Sequence, residues 1–322
     1  MQAAVFDASG SGCAGFVAAA GLRGVGRRNG NPDLTADGIE VPASGDAPTF
    51  VARFRWRNLA FVKCLHNKVA LITGGSSGIG LGTAEIFARE GARLAILGRS
   101  ATTLQAAGQK LRGLGAQVLE IQADVSQSLD MKQAIETVEK EWGRLDIVFA
   151  NAGINGVWAP LEELEPEEWE ATLRVNLTGT YHTIRSSLPL LKKRGGSVII
   201  TSSVNGTRMF SNTGCTAYAC SKAAQVAMAK MLALELAPHK VRVNVVCPGW
   251  IESEIEDSTD KRDLERIAPV VEFPEGAVPL TRGAPGSAEQ VGNVVLFLAC
   301  DLSSHVTGSE IWVDGAQSLL QG

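Results

Sequence analysis

The chain has 322 residues, 45 % of them hydrophobic and 20 % charged, and a net charge of −4. That balance describes an ordinary globular chain with enough length for a substantial core, and it excludes a basic protein built to wrap nucleic acid. The six cysteines, at 13, 64, 215, 220, 247 and 300, form no C-x-x-C pair and the four histidines are scattered; this argues against a metal site or a disulfide framework and leads us to expect reduced thiols and a cytoplasmic location.

Residues 1 to 66 are rich in Gly, Ala and Arg and show no sustained helix or strand period, so a disordered extension is expected there. The apolar stretch Phe16 to Leu22 has no basic region ahead of it, which argues against a secretory signal. Asp7, Asp33, Asp37, Glu40 and Asp46 argue against a transit peptide. No apolar run is long enough to span a bilayer.

From Lys68 onward, short aliphatic runs alternate with longer amphipathic segments. Strands are predicted at Val69–Thr73, Arg93–Leu97, Gln117–Gln122, Leu145–Ala150, Ser197–Thr201, Val241–Val246 and Glu310–Val313. Helices are predicted from about Ile79 to Glu90, Ala101 to Leu114, Leu129 to Trp142, Pro166 to Lys193, Ala217 to Leu236 and Ala288 to Ala299. This β-α alternation over residues 67–322 predicts one α/β domain, a parallel sheet covered on both faces with right-handed crossovers.

The first strand runs directly into Thr73-Gly74-Gly75-Ser76-Ser77-Gly78-Ile79-Gly80, which opens the first helix. A glycine-rich turn at that junction aims free helix N–H groups at a pyrophosphate and lets backbone and phosphate approach closely. The context carries the signal, because a glycine-rich turn elsewhere is only a tight loop.

Tyr218 and Lys222 lie four residues apart, hence on one face of a helix. A free phenol titrates near ~10 and is a poor base at neutral pH. A nearby ammonium lowers that value, so we expect a pair able to give a proton to a developing alkoxide or take one from an alcohol. Ser202 and Ser203 directly follow the strand Ser197–Thr201 at the carboxyl edge of the sheet, where open α/β sheets bind ligands; a hydroxyl there can stabilise a substrate oxygen. Asn176 lies inside a long helix, where an Asn is unfavourable unless something compensates it.

With G-x-x-x-G-x-G in place of the common G-x-G-x-x-G, and with Tyr-x-x-x-Lys downstream, the chain resembles the short-chain dehydrogenase/reductase family across residues 68 to 316. The resemblance implies a Rossmann-type doubly wound sheet and a catalytic tetrad of Asn176, Ser203, Tyr218 and Lys222, with the Asn holding a water that links the lysine to solvent. It implies dinucleotide contacts from Gly74, Ser76, Ser77, Gly78, Ile79 and Gly80. Asp124, followed by Val125, takes the place that contacts the adenine amino group, and Asn151-Ala152-Gly153 lines the cofactor. Pro248-Gly249 and Ile251 border the nicotinamide, and Ser253 stands where a carboxamide-binding Thr is usual. The interval between Ser203 and Tyr218 is longer than is usual in the family and marks a short insertion within Val204–Cys215. Ala316 replaces the last glycine of the closing V-D-G-G.

The second strand ends Gly98-Arg99-Ser100. An acid here would bond a ribose 2′-hydroxyl, whereas an Arg accommodates a 2′-phosphate; NADP(H) is therefore favoured over NAD(H). The segment from about 250 to 285 is expected to be the substrate lid. We expect an oxidoreductase acting on a small carbonyl or alcohol, without nucleic-acid or membrane partners, and the resemblance implies a homo-oligomer, with a tetramer favoured. The alternatives are a 3-oxoacyl-thioester (acyl-carrier-protein) reductase, docking its carrier through Arg185, Lys192, Lys193 and Arg194, and a non-catalytic NADP(H)-binding regulator.

Overall fold

The computed structural model describes residues 63–269 and 278–320. Almost all of the predicted N-terminal extension, and residues 270–277 of the predicted lid, lie outside the described residues.

Seven strands form one parallel sheet: β1 (Val69–Thr73), β2 (Arg93–Gly98), β3 (Val118–Gln122), β4 (Ile147–Ala150), β6 (Gly196–Thr201), β7 (Val241–Pro248) and β9 (Glu310–Val313). Their spatial order is β3-β2-β1-β4-β6-β7-β9. The order reverses direction between β1 and β4, so the loops after these two strands diverge and leave a crevice at the carboxyl edge. The central strands are apolar because both of their faces are covered: all five residues of β1 and all four of β4 are buried, whereas the edge strands β3 and β9 carry Glu120, Gln122 and Glu310 and are only partly buried.

One core layer packs β1 and β2 against α1 (Gly78–Arg89), α2 (Ala101–Gly113) and α7 (Ala288–Ala299), with Phe87, Phe149, Leu94 and Val295 at its centre. The other packs the opposite face against α3 (Ser128–Trp142), α5 (Gly179–Arg194) and α6 (Thr216–Leu236), through Leu71, Val148, Leu191 and Leu236. The sequence-based helices and strands reappear with ends shifted by a residue or two.

Three features depart from the sequence reading. The expected single helix 166–193 is α4 (Pro166–Leu173), a π-helical turn at Arg174–Thr178, and then α5. The wider turn frees backbone carbonyls, and Gln225 Nε2 donates to the Asn176 carbonyl at 2.8 Å. Two three-residue strands, β5 (Gly156–Trp158) and β8 (Thr259–Lys261), pair in parallel outside the main sheet, with Trp158 opposite Lys261. The chain closes on a short α8 (Gln317–Leu320).

No helix among the described residues is long and apolar enough to cross a membrane, and none of them forms a cluster of three or more His, Cys, Asp or Glu able to hold a metal.

Candidate active site

The carboxyl ends of β1, β4, β6 and β7 open into a cleft of about 640 Å³. A smaller cavity of about 260 Å³ lies over the ends of β2 and β3. Gly74, Arg99, Ala152, Gly153 and Ile154 line both, so the two form one groove across the strand ends.

The glycine-rich turn forms the floor. Gly78 adopts a φ of +50°, which a side chain would strain. A Cβ on Gly80 would drive into the Gly74 carbonyl, so Gly80 lets α1 sit tight on β1; it lines neither cavity. The N-cap residue Ser77 makes no side-chain cap bond, and the first turn of α1 carries no acid. The first N–H groups of α1 thus lack a side-chain acceptor, and Ser77, Gly78 and Ile79 line the cleft. Such a helix start accepts an anion, and the residues present fit the pyrophosphate of a dinucleotide.

Asn151 ties three strands together at this edge. Its Nδ2 donates to the Thr73 carbonyl at 3.2 Å, and its Oδ1 accepts from Thr201 Oγ1 at 3.1 Å. Thr73 Oγ1 accepts from the backbone N–H groups of Asn151 and Ala152, at 3.0 and 3.1 Å.

The smaller cavity holds Ser76, Arg99, Ser100, Asp124 and Val125. Arg99 is exposed there. Ser100 also caps α2, accepting from Thr103 N at 3.3 Å. Asp124 Oδ1 accepts from Ser126 N at 2.9 Å and its own N–H donates to Asp130 Oδ2 at 2.9 Å, which sets the loop's shape around Asp124.

Ser203, Tyr218 and Lys222 converge on the wall of the larger cleft. Lys222 is 2 % exposed, donates from Nζ to the Thr201 carbonyl at 2.9 Å and lies 5.4 Å from the centre of the Tyr218 ring. Burial holds Lys222 down at about 8, partly offset by the neighbouring Cys247.

The expected low phenol pKa is not found: burial pushes Tyr218 up to about 12, against a smaller lowering by a hydrogen bond with Ser203. Desolvation of a phenolate is the dominant effect at this buried position. At neutral pH the phenol therefore keeps its proton and is set up as a donor.

Asn176 is fully buried and lines neither cavity. Its Oδ1 accepts from Ile154 N at 2.8 Å, and its Nδ2 donates to Ile154 O at 2.9 Å and to Ser221 Oγ at 3.1 Å. A Cβ on Gly153 would lie 3.2 Å from Asn176 Oδ1 and 3.5 Å from Lys222 Nζ, so both groups stand behind the same glycine.

On the far side, Pro248, Gly249, Ile251 and Ser253 line the cleft. The Pro248 carbonyl accepts from Val204 N at 3.0 Å, and Gly249 N donates to Val313 O at 3.1 Å. Ile251 bridges to Gly286, and Ser253 Cβ would stand 3.3 Å from a Cβ built on Gly78. The segment Val204–Cys215 folds back as a small loop that buries Met209 and leaves Phe210 exposed.

Several groups were missed by the sequence reading. Trp158, Asn155, Asn205, Met209, Asn212 and Lys261 line the end of the cleft away from the glycine-rich turn, and no local pattern marks them. The Ser202 hydroxyl, named in the sequence reading beside Ser203, instead donates to the Lys222 carbonyl at 2.8 Å and pins α6 to β6. The basic cluster Lys192, Lys193 and Arg194 closes α5 just before β6 begins. In a parallel α/β sheet that is the amino edge, opposite the cleft, which removes it as a docking patch beside the site.

Comparison with known proteins fits this geometry. The profile of a family described as enoyl-(acyl carrier protein) reductase matches residues 74–316. The 3-oxoacyl-[acyl-carrier-protein] reductase FabG of Thermotoga maritima is 37 % identical over 252 residues, covering 78 % of this chain and 98 % of that protein. The chain belongs to the short-chain dehydrogenase/reductase family.

Other members of this short-chain dehydrogenase/reductase family are similar over the same stretch. The cyclohexanol dehydrogenase of an Acinetobacter species is 32 % identical over 252 residues, 78 % of this chain and 95 % of that one. The crystal structure of a 3-ketoacyl-ACP reductase from Sinorhizobium meliloti is 48 % identical, covers 78 % of this chain and 99 % of its own, and superposes with a TM-score of 0.75. The chain is accordingly an oxidoreductase of the type that acts on CH–OH and C=O groups.

Proposed function

We propose that residues 67–322 form an NADP(H)-dependent oxidoreductase that interconverts a carbonyl and a secondary alcohol, with Tyr218 as the acid and base. The observation that carries this reading is the convergence of Ser203, Tyr218 and Lys222 on one wall of a cleft whose floor is a helix start open to phosphate.

In this reading Gly74, Ser76, Ser77, Gly78 and Ile79 hold the pyrophosphate, with Gly80 packing behind them. Asp124 and Val125 face the adenosine, Arg99 and Ser100 take a 2′-phosphate, and Asn151, Ala152, Gly153, Pro248, Gly249, Ile251 and Ser253 frame the nicotinamide. The exposed guanidinium of Arg99, following Gly98 rather than an acid, supports NADP(H) over NAD(H). Bound there, the nicotinamide supplies or takes up a hydride.

The chain's own residues handle the proton and the charge. Ser203 Oγ donates to the substrate oxygen and withdraws charge from it. Tyr218 Oη, protonated at neutral pH, gives its proton to that oxygen as the alcohol forms. Lys222 keeps a cation within reach of the phenol and stabilises the phenolate left behind. Asn176 fixes the Ile154 backbone and stands behind Lys222. The segment 250–285 acts as the substrate lid, and its Glu254, Ile255 and Lys261 line the cleft. A homo-oligomer, a tetramer foremost, is supported by exposed Tyr181 on α5 and exposed Met231 and Leu234 on α6.

The test is NADPH oxidation, followed by absorbance, against a panel of small ketones, cyclic ketones and an acetoacetyl thioester. Turnover of the parent with loss of at least a thousandfold in kcat for Tyr218→Phe, while NADPH still binds, is the expected result; full turnover by the variant would remove Tyr218 from the chemistry. A 3-oxoacyl-thioester reductase is the second reading, favoured by the likeness to FabG and to the S. meliloti enzyme, and thioester turnover far above that of every ketone would establish it. NADPH binding with no turnover of any carbonyl would leave a non-catalytic binder.

A further inference from the structure

The substrate end of the cleft is built around a small device outside the main sheet. β5 follows β4, β8 follows β7, and their pairing brings together residues about a hundred positions apart. The register sets Trp158 opposite Lys261. The Trp158 ring lies 6.5 Å from the Tyr218 ring, tilted by 42°. Lys261 Nζ lies 5.7 Å from the centre of the same indole. The phenol and the ammonium thus both neighbour the same indole, and all three residues line the cleft.

Lys261 is exposed, and none of the ion pairs among the described residues involves it. Its neighbours in sequence behave differently: Arg262 pairs with Glu168, and Arg266 with Glu162 and Glu163. These pairs hold the segment after β8 against α4 and the turn before it, and so hold β8 in place, while Lys261 stays uncommitted. Asn205, 8 % exposed, adds a second donor. Its Oδ1 accepts from Asn212 Nδ2 at 3.2 Å, and its own Nδ2 makes no hydrogen bond among the described residues.

The geometry points to a substrate that carries a carboxylate besides its reacting carbonyl, with Lys261 as the residue that selects it. This inference rests on the carbonyl-reductase reading above and names the substrate class of that same site. The carbon skeleton between carbonyl and carboxylate lies along the Trp158 face, with Met209 and Ile255 as further apolar lining. An ammonium on a flexible stem meets a carboxylate as a point charge, and partial enclosure in the cleft makes the pairing stronger than at open surface. Glu254, Glu256 and Asp257 also line the cleft. They oppose a multiply charged ligand more than a single carboxylate held against Lys261, which directs the site to a monoanionic oxo acid.

The experiment compares each oxo acid with its own methyl ester, which removes the charge and keeps the ketone: acetoacetate, levulinate and oxocyclohexanecarboxylate. The expected result is a kcat/KM ratio of acid to ester above one for at least one pair in the parent enzyme. That ratio should fall by about tenfold in Lys261→Met and further in Lys261→Glu. Taking the ratio within each preparation cancels any loss of folded enzyme. Equal or ester-favouring ratios in every pair, or a ratio that ignores Lys261, would overturn the inference while leaving carbonyl reduction intact. Failure to reduce any ester, any acid or any ketone of the earlier panel would overturn the reading on which it stands.

Discussion

Asn176 and Ile154 exchange two hydrogen bonds, side-chain amide to backbone, at 2.8 and 2.9 Å. The Asn sits in the π-helical turn, the Ile in the loop after β4 that lines both cavities. One amide therefore fixes the loop along which a dinucleotide would run.

Asn176→Ala should leave the Ile154 N–H and C=O without their partner. Each unsatisfied buried group costs about 1–3 kcal/mol, so the melting temperature should fall by at least ~4 °C and KM for the dinucleotide should rise. Asn176→Asp keeps the acceptor and loses the donor to Ile154 O, and should fall between parent and Ala by both measures. Calorimetry and dinucleotide titration check this; an Ala variant as stable and as tight-binding as the parent would contradict it.

Lys222 gives a pH signature. Its ammonium is held down to about 8, against 10.5 for an ordinary lysine. Between those values the folded chain has shed a proton that the unfolded chain keeps, so the residue's contribution to stability grows as pH rises through that window and is absent below it. Lys222→Met removes the titration. The melting temperature of the variant relative to the parent should be highest near pH ~7 and drop by roughly 4 °C towards pH ~9.5, with turnover lost throughout. Tyr218, raised to about 12, acts with the opposite sign only above pH ~10. A difference that stays constant with pH would show that the amine does not titrate in the window.

Arg99→Asp should reverse the cofactor balance. A charge-assisted bond is worth about 1.5–3 kcal/mol, so kcat/KM with NADPH relative to NADH should drop by at least tenfold. Steady-state assays with both dinucleotides decide it, and an unchanged ratio would remove Arg99 from the phosphate end.

Ala316 holds a φ of +71°, a left-handed conformation that costs an L-residue about 1–2 kcal/mol. Ala316→Gly relieves this and loses part of the gain to the freer unfolded chain. The melting temperature should rise by roughly 2 °C; a decrease would mean that the methyl group packs usefully.

The main sheet, its helices, and the cleft that Ser203, Tyr218 and Lys222 share were legible because each rests on a local signal: a strand-length aliphatic run, a helical period, a glycine-rich turn at the first junction, a spacing of four. What escaped were consequences of distant packing. β5 and β8 have three residues each and make sense only as partners across the chain. The π-helical turn at Asn176 is stabilised by Gln225 from α6, which no window around residue 176 contains. The proximity of Tyr218 to Lys222 suggested a lowered phenol pKa, but the sign is set by how completely the fold excludes water. The edge on which Lys192, Lys193 and Arg194 lie follows from the alternation itself, since a helix leading into a parallel strand ends where that strand starts.

The stretch from Ser253 to Lys261 reaches both ends of the reaction. Its first residue abuts the glycine-rich floor and its last faces Trp158. Nine residues thus stand between the two binding events, and whatever orders one end has already met part of the entropic cost of ordering the other. A ketone and a dinucleotide bound at these two ends should accordingly each strengthen the binding of the other by the same factor, without any second conformation of the main sheet.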